Sequence, residues 1–595
     1  MAVLHVQNLN FTYASEKEPA LININFEVQR GEFLLLCGPS GCGKTTLLHH
    51  LKPHLEPRGT KTGKVIFNGV DTSHMPERDA AAKIGLIMQK PENQIVTDTV
   101  RHELAFGLES LGFHPALIAR RVAETVSYFG IEEVYNKKTN ELSGGEKQLV
   151  SIAAIMALQP ELLLLDEPAS QLDPIAARNL YDILLRLNSE LGITIILSEH
   201  RIDDVFSLAH RVAVLSDGKL VCVNAPKYTA SYMAASEDDK IRAMLPIPSK
   251  IFVDICTLIT AAKGLKHINV GDLGALADFP VTVREVKPWF ENLAQEHLLV
   301  PHTSEPDTTR GKMKKQWAGR VKSSEYIDKL AVVAESIFFR FDKNSEDVIN
   351  NLSVTIKKGE ILSIVGGNGA GKTTLLRLIS GIIKPYSGKI RFIENGLKTA
   401  YLPQNPQSMF AFDTVLDDLL QTEGALSAGK RFLLSTGILN EYDHQISPNL
   451  QNIIKRLGIE TILKKHPFDL SFGELQRAAL GMLLLKTPDV LLLDEPTKGI
   501  DTLTKKRMAE LLNSLCDDGL AVVAVTHDIE FAAEYSQSCA MLFDGRILNI
   551  ETPEDFFSGN MCYTTVAHRI AGRVFQKTVT CEEVKNEWIK YAIKG

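Results

Sequence analysis

Gly38-Pro39-Ser40-Gly41-Cys42-Gly43-Lys44-Thr45-Thr46 follows an apolar run, Phe33 to Leu36, and leads into the helix-like Thr46-Leu47-Leu48. A strand that turns through glycines into a helix is suited to wrap backbone N–H groups around phosphate oxygens. Glycine lets the main chain approach the anion closely, and the helix presents its positive N-terminal end. The pattern returns as Gly366-Gly367-Asn368-Gly369-Ala370-Gly371-Lys372-Thr373-Thr374, behind the apolar Ile361 to Val365 and ahead of Leu375-Leu376-Arg377-Leu378. Lys372 lies 328 residues after Lys44. Leu142-Ser143 recurs as Leu470-Ser471, and Leu165-Asp166-Glu167-Pro168 as Leu493-Asp494-Glu495-Pro496, both at that same spacing. His200 recurs as His527, 327 residues on. Four motifs in one order at one spacing mark a duplicated domain.

The apolar runs Leu162 to Leu165 and Val490 to Leu493 read as parallel strands covered on both faces. The expected class is therefore α/β, with two tandem phosphate-loop domains. Residues 1–230 form the first and residues 331–595 the second. Between them, residues 231–300 mix helical patterns (Lys250 to Ala262, Val283 to Leu293) with prolines, and read as a small C-terminal appendage of the first domain. Residues 301–330 are polar and include Arg310-Gly311-Lys312-Met313-Lys314-Lys315, an exposed linker.

A chain of 595 residues exceeds what one hydrophobic core supports. Its net charge of -7 argues against nucleic acid as the main partner, because phosphate binding calls for a basic surplus. No signal peptide opens the sequence, and no apolar stretch approaches the roughly 20 residues a membrane helix needs. Work at a membrane would go through a partner. The eight cysteines are scattered without C-x-x-C pairs and read as reduced thiols.

Each motif carries its own chemistry. Lys44 and Lys372 are placed to reach the β- and γ-phosphates, and Thr45 and Thr373 to offer hydroxyls to Mg2+. Asp166 and Asp494 end buried strands and suit the same Mg2+. Glu167 and Glu495, next in sequence, sit where a general base polarises water.

With these residues in view, the sequence resembles the ATP-binding-cassette (ABC) family over most of both repeats. The resemblance implies an ATPase that uses ATP and Mg2+. Leu142-Ser143-Gly144-Gly145-Glu146-Lys147-Gln148 is similar to the family's signature motif. Gln89 and Gln404 resemble the glutamines that link the nucleotide to the transport partner, and the resemblance also places them in the Mg2+ set. His200 and His527 resemble the switch histidines at the γ-phosphate. Tyr13 and Phe341 occupy the positions of an aromatic stacked on adenine, although both also read as core aromatics. Asp173 and Asp501 match an inter-domain aspartate. The nucleotide-binding set implied is Tyr13, Gly38, Ser40, Gly41, Gly43, Lys44, Thr45, Thr46, Gln89 and Asp166 in the first copy. In the second it is Phe341, Gly366, Asn368, Gly369, Gly371, Lys372, Thr373, Thr374, Gln404 and Asp494. The family's head-to-tail pairing adds Ser471 and Gly473 to the first set, and Ser143, Gly144 and Gly145 to the second. Phe472 stands where the family has glycine. Its bulk is expected to restrict the backbone and slow hydrolysis at the first composite site.

The stretch Gln89-Lys90-Pro91-Glu92-Asn93-Gln94-Ile95-Val96, followed by Glu103-Leu104-Ala105-Phe106-Gly107, resembles the ATPases of energy-coupling-factor importers. Those take up vitamins, vitamin precursors, cobalt or nickel. The resemblance implies a peripheral place on the cytoplasmic face of the cell membrane. It also implies two membrane partners, a T-type scaffold subunit and a substrate-binding subunit. Tandem cassettes that act on ribosomes, and the ATPases of other ABC importers, are the alternatives.

Overall fold

The computed structural model describes residues 2–14, 16–170, 172–262, 279–297, 330–343, 345–394, 396–424, 447–561 and 563–592. The expected linker at 301–330, with its basic cluster, lies outside the described residues except for Leu330. The chain divides into two compact units, Met1–Val286 with Lys498–Leu503, and Lys287–Thr497 with Thr504–Gly595.

In the first unit, β1 (Ala2–Tyr13), β2 (Leu21–Gln29), β4 (Gly59–Phe67) and β5 (Val70–Asp71) make an antiparallel sheet in the order β2-β1-β4-β5. A second sheet has the order β10-β9-β3-β8-β7-β6. It uses β3 (Phe33–Cys37), β6 (Ile84–Ile87), β7 (Leu162–Asp166), β8 (Thr194–Ser198), β9 (Arg211–Ser216) and β10 (Lys219–Asn224). Its pairings are parallel except β9 with β10. β3, β7 and β8 are buried at every residue, as uninterrupted apolar runs demand when both faces are covered. One core joins the antiparallel sheet (Val6, Phe11, Ile24), the parallel sheet (Leu34, Leu164, Ile196) and the helix Lys44–Leu51 (Leu47, Leu48).

The second unit repeats the plan. β11 (Leu330–Phe339), β12 (Ile349–Lys357) and β14 (Ser387–Phe392) pair in the order β12-β11-β14. β13 (Ile361–Val365), β15 (Thr399–Leu402), β16 (Val490–Asp494), β17 (Ala521–Val525), β18 (Ser538–Phe543) and β19 (Arg546–Glu551) pair in the order β15-β16-β17-β13-β18-β19. Strand for strand this matches the first unit's larger sheet, so the duplication read from spacing is a duplication of topology.

The appendage pattern becomes helices at Ile247–Ala262 and Val283–His297. Ser249 fixes the first to the chain ahead of the second, donating to Pro280 O at 2.7 Å. The second unit has its own helices after β19, at Pro553–Gly559, Val566–Ala571 and Cys581–Ala592. There Phe290, from the later part of the helix Val283–His297, packs 5.4 Å from Trp588 and 6.0 Å from Phe575.

Candidate functional site

Both phosphate loops leave the carboxyl end of the central strand, β3 or β13, where open α/β sheets build their ligand crevices. Gly43 and Gly371 have φ of +104° and +98°. A Cβ on Gly43 would stand 2.8 Å from Ala20 O, so this bend admits only glycine. Lys44 is buried and arches back over the loop, donating to Gly38 O at 2.8 Å and Pro39 O at 3.2 Å. Lys372 does the same to Gly366 O and Gly367 O, at 3.0 and 2.9 Å. Each ammonium is thus aimed into the space the loop encloses. Ser40 Oγ is buried there with no hydrogen-bond partner among the described residues.

Thr45 Oγ1 donates to Asp166 Oδ2 at 2.7 Å, and Thr373 Oγ1 to Asp494 Oδ1 at 3.1 Å. Burial pushes both aspartates' pKa values up, and the Glu167 charge adds to this at Asp166. Paired hard-oxygen donors on a carboxylate that burial destabilises are what a divalent cation satisfies, so the residues present fit Mg2+. Thr45 with Asp166, and Thr373 with Asp494, would hold it.

The remaining oxygen of each aspartate is held differently, and sequence reasoning missed both holders. In the first unit Ser198, paired with Asp166 across β7 and β8, donates to Asp166 Oδ1 at 2.7 Å. In the second, Val525 occupies that register position, and Tyr401 instead donates to Asp494 Oδ2 at 3.1 Å from β15. The signal was slight, a lone hydroxyl ending one apolar run and a tyrosine three residues before Gln404.

Glu167 and Glu495 have φ of +47° and +54°, a left-handed conformation unfavourable for glutamate. Strain of about 1–3 kcal/mol per residue is typical of functional sites. The turn aims Glu167 at two other expected residues. Gln89 Nε2 donates to its Oε2 at 2.9 Å, and His200 Nε2 lies 2.8 Å from its Oε1. Burial raises the Glu167 carboxyl, but His200, Lys44 and Gln89 outweigh it and hold the pKa below the usual value. In the second unit His527 Nε2 lies 3.2 Å from Glu495 Oε1 and also 3.2 Å from Lys372 Nζ. Gln404 is exposed, and no hydrogen bond joins it to Glu495 among the described residues.

Tyr13 is half-buried, its hydroxyl 2.7 Å from Thr46 Oγ1 and its ring edge-on to Phe11. Phe341 is 61% exposed and edge-on to Phe339, so its ring face is open to stack on a base. Ser143 and Ser471 cap the helices Gly144–Met156 and Phe472–Leu485 with reciprocal capping boxes to Glu146 and Glu474. Asp173 caps the helix Pro174–Leu191, accepting from Ala176 N at 2.8 Å.

One expectation is corrected. Phe472 does not distort the signature backbone: it takes the first position of a regular helix, as Gly144 does in the first unit. A Cβ built on Gly144 meets nothing within 4 Å, so the surrounding fold leaves room for a side chain at this position.

The family model described as ABC transporter matches residues 21–170 and 349–498, the two phosphate-loop regions. The chain belongs to the ABC transporter family. An ABC transporter ATP-binding protein of Bacillus thuringiensis subsp. konkukian is 38% identical over 594 residues, covering 98% of both chains. The archaeal ribosome recycling factor aABCE1, solved with the stalk protein aP1, superposes with a TM-score of 0.53 at 19% identity. That match covers 93% of this chain and 91% of the archaeal one, and shows a shared fold. cbiO1 from Clostridium perfringens, described as part of the ABC transporter complex cbiONQ, is 32% identical over 38% of this chain and 89% of its own, with a TM-score of 0.36. As an ABC ATPase the chain binds ATP with Mg2+ and hydrolyses it. No helix among the described residues is long and apolar enough to cross a membrane.

Proposed function

We propose that this ABC ATPase energises an importer of the energy-coupling-factor type for a vitamin, a vitamin precursor or a cobalt or nickel ion. It works from the cytoplasmic face of the membrane with a scaffold subunit and a substrate-binding subunit. ATP draws the two cassettes together head to tail, Ser471 and Gly473 completing the first site and Ser143, Gly144 and Gly145 the second. The lysines and glycine loops hold the phosphates, Glu167 and Glu495 polarise the attacking water, and His200 and His527 orient it against the γ-phosphate. Mg2+, when bound, neutralises charge on the phosphate oxygens.

The observation that carries the transport reading is the segment after Gln89. Gln94 accepts from Met88 N at 3.1 Å and donates to Leu86 O at 2.9 Å. Buried Glu103 accepts from Val96 N, Thr97 N and Thr97 Oγ1 at 3.1, 2.8 and 2.9 Å. These bonds fix a loop whose Val96 is 66% exposed, while Phe106 on the following helix is 42% exposed. Asp418 plays the part of Glu103 in the second unit, accepting from Ala411 N at 2.9 Å. A rigid loop with apolar side chains outward, starting at the glutamine that touches Glu167, suits a partner that must sense nucleotide.

Density-gradient fractionation of cell extract tests this reading. The chain should float with membrane vesicles and come off in high salt without detergent. Migration with ribosomes instead would favour the translation-linked alternative.

A further inference from the structure

The switch histidine of the first cassette follows a buried acid that the mechanism above does not use. Glu199 is 2% exposed. Its Oε1 accepts from Ala169 N at 2.9 Å, and the hydroxyl of Tyr181, itself 3% exposed in the helix Pro174–Leu191, hydrogen-bonds to it. Ala169 lies two residues beyond Glu167 on the strained turn. One step earlier, Glu167 N donates to Ser198 O at 3.0 Å and to Ser198 Oγ at 3.2 Å. The Glu167 turn and the strand end bearing His200 are therefore stapled twice, the second time by a carboxyl side chain.

The second cassette makes the same tie with other chemistry. Thr526 stands before His527, Thr497 two residues beyond Glu495, and their hydroxyls are 3.3 Å apart. Neither hydroxyl titrates near neutral pH, whereas Glu199 is an acid.

We propose that Glu199 is a positioning residue for hydrolysis in the first cassette, locking the Glu167 turn to the His200 segment through Ala169 and Tyr181. The ionisable groups acting on it are Glu167 from the turn and Tyr181 from the helix; the backbone of His200 also hydrogen-bonds to it, and Asp204 and Arg201 act in turn on the Tyr181 hydroxyl. On the β3 side its neighbour is the Leu36 carbonyl, which accepts from Glu199 N. Burial, then the Glu167 charge, pushes the Glu199 carboxyl up to about 8 despite the Ala169 bond. The protonated form is thereby favoured at neutral pH. Loss of the proton places a second buried negative charge beside Glu167, at odds with an incoming γ-phosphate. The inference rests on the ATPase activity and not on what that activity drives.

The test is ATP turnover of the full chain from pH 6.5 to 9.5 for wild type, Glu199→Gln and Glu199→Ala. Glutamine imitates the protonated acid, accepting from Ala169 N and donating to Tyr181. Glu199→Ala should lower kcat about tenfold, the loss of one buried hydrogen-bonded tie, with KM within about twofold. Glu199→Gln should restore most of the pH 7 turnover and lose the alkaline fall, with a midpoint near 8, that is expected of wild type. Glutamine and wild-type profiles that coincide, or a glutamine variant as impaired as alanine, would overturn the proposal. Should Glu199→Ala fail to fold, the glutamine profile alone decides between these outcomes.

Discussion

Gln89 donates its side-chain amide to Glu167 across 2.9 Å, while its counterpart Gln404 is exposed and makes no hydrogen bond to Glu495 among the described residues. The two cassettes share a fold strand for strand, yet their glutamates sit in different hydrogen-bonded settings. Glu167 is gripped by Gln89 and His200. Glu495 shares His527 with Lys372.

That difference makes the two glutamates unequal under substitution. Glu167→Gln and Glu495→Gln should each cut steady-state ATP turnover at least tenfold, the general-base contribution being about 10²–10⁴. The two residual rates should differ. Equal residual rates would mean the settings are functionally interchangeable.

Lys44→Ala and Lys372→Ala each remove a buried cation whose donors are aimed into the phosphate loop. Each should weaken binding of a fluorescent ATP analogue by about tenfold or more, as expected for losing charge-assisted bonds. The double variant should not turn over ATP, and normal turnover would refute the site assignment.

The aspartates' different holders give a crossed pair of predictions. Ser198→Ala releases Asp166, and Tyr401→Phe releases Asp494. Loss of such supporting bonds typically costs about 10–100-fold in metal affinity. Each variant should raise the Mg2+ concentration needed for half-maximal turnover. Overexpressed strand mutants that bind ATP normally yet show an unchanged Mg2+ titration would argue that these hydroxyls are structural only.

Phe472→Gly tests the corrected signature reading. With a regular helix at this position, glycine should relieve nothing and should lower stability by up to about 1 kcal/mol, measurable in denaturant titration. A clear gain in ATP turnover would revive the expectation that the phenylalanine hinders the loop.

Much of this was legible because the deciding features are local. The glycine loops, buried strands and acid pairs are short runs whose spacing is the same in both copies. Asp166 and Ser198 were harder, because their contact depends on register between β7 and β8 and only folding sets it. Tyr401 was missed for the same reason: it does from β15 what Ser198 does from β8, so the repeat conserves a role without conserving a position. Phe472 departs from expectation because a glycine in a family motif does not by itself imply a backbone need. At the first position of a helix, ordinary helical backbone angles suit any side chain.

Glu199 adds a stability signature. Its folded pKa, near 8, lies above the ordinary 4.5, so between those values the native chain holds a proton that the unfolded chain has released. Stability should fall as pH rises through that window, and the slope should be shallower in Glu199→Gln. Thermal melts of both proteins at pH 5, 6.5 and 8 check this, and parallel slopes would contradict it.

Affinity purification of the tagged chain from detergent-solubilised membranes, with mass spectrometry of what accompanies it, bears most directly on the transport reading. A polytopic scaffold protein with a small membrane substrate-binder in the eluate is the expected result, and the binder's ligand would identify the cargo. An eluate of ribosomal proteins without membrane subunits would contradict the importer assignment while leaving the ATPase intact.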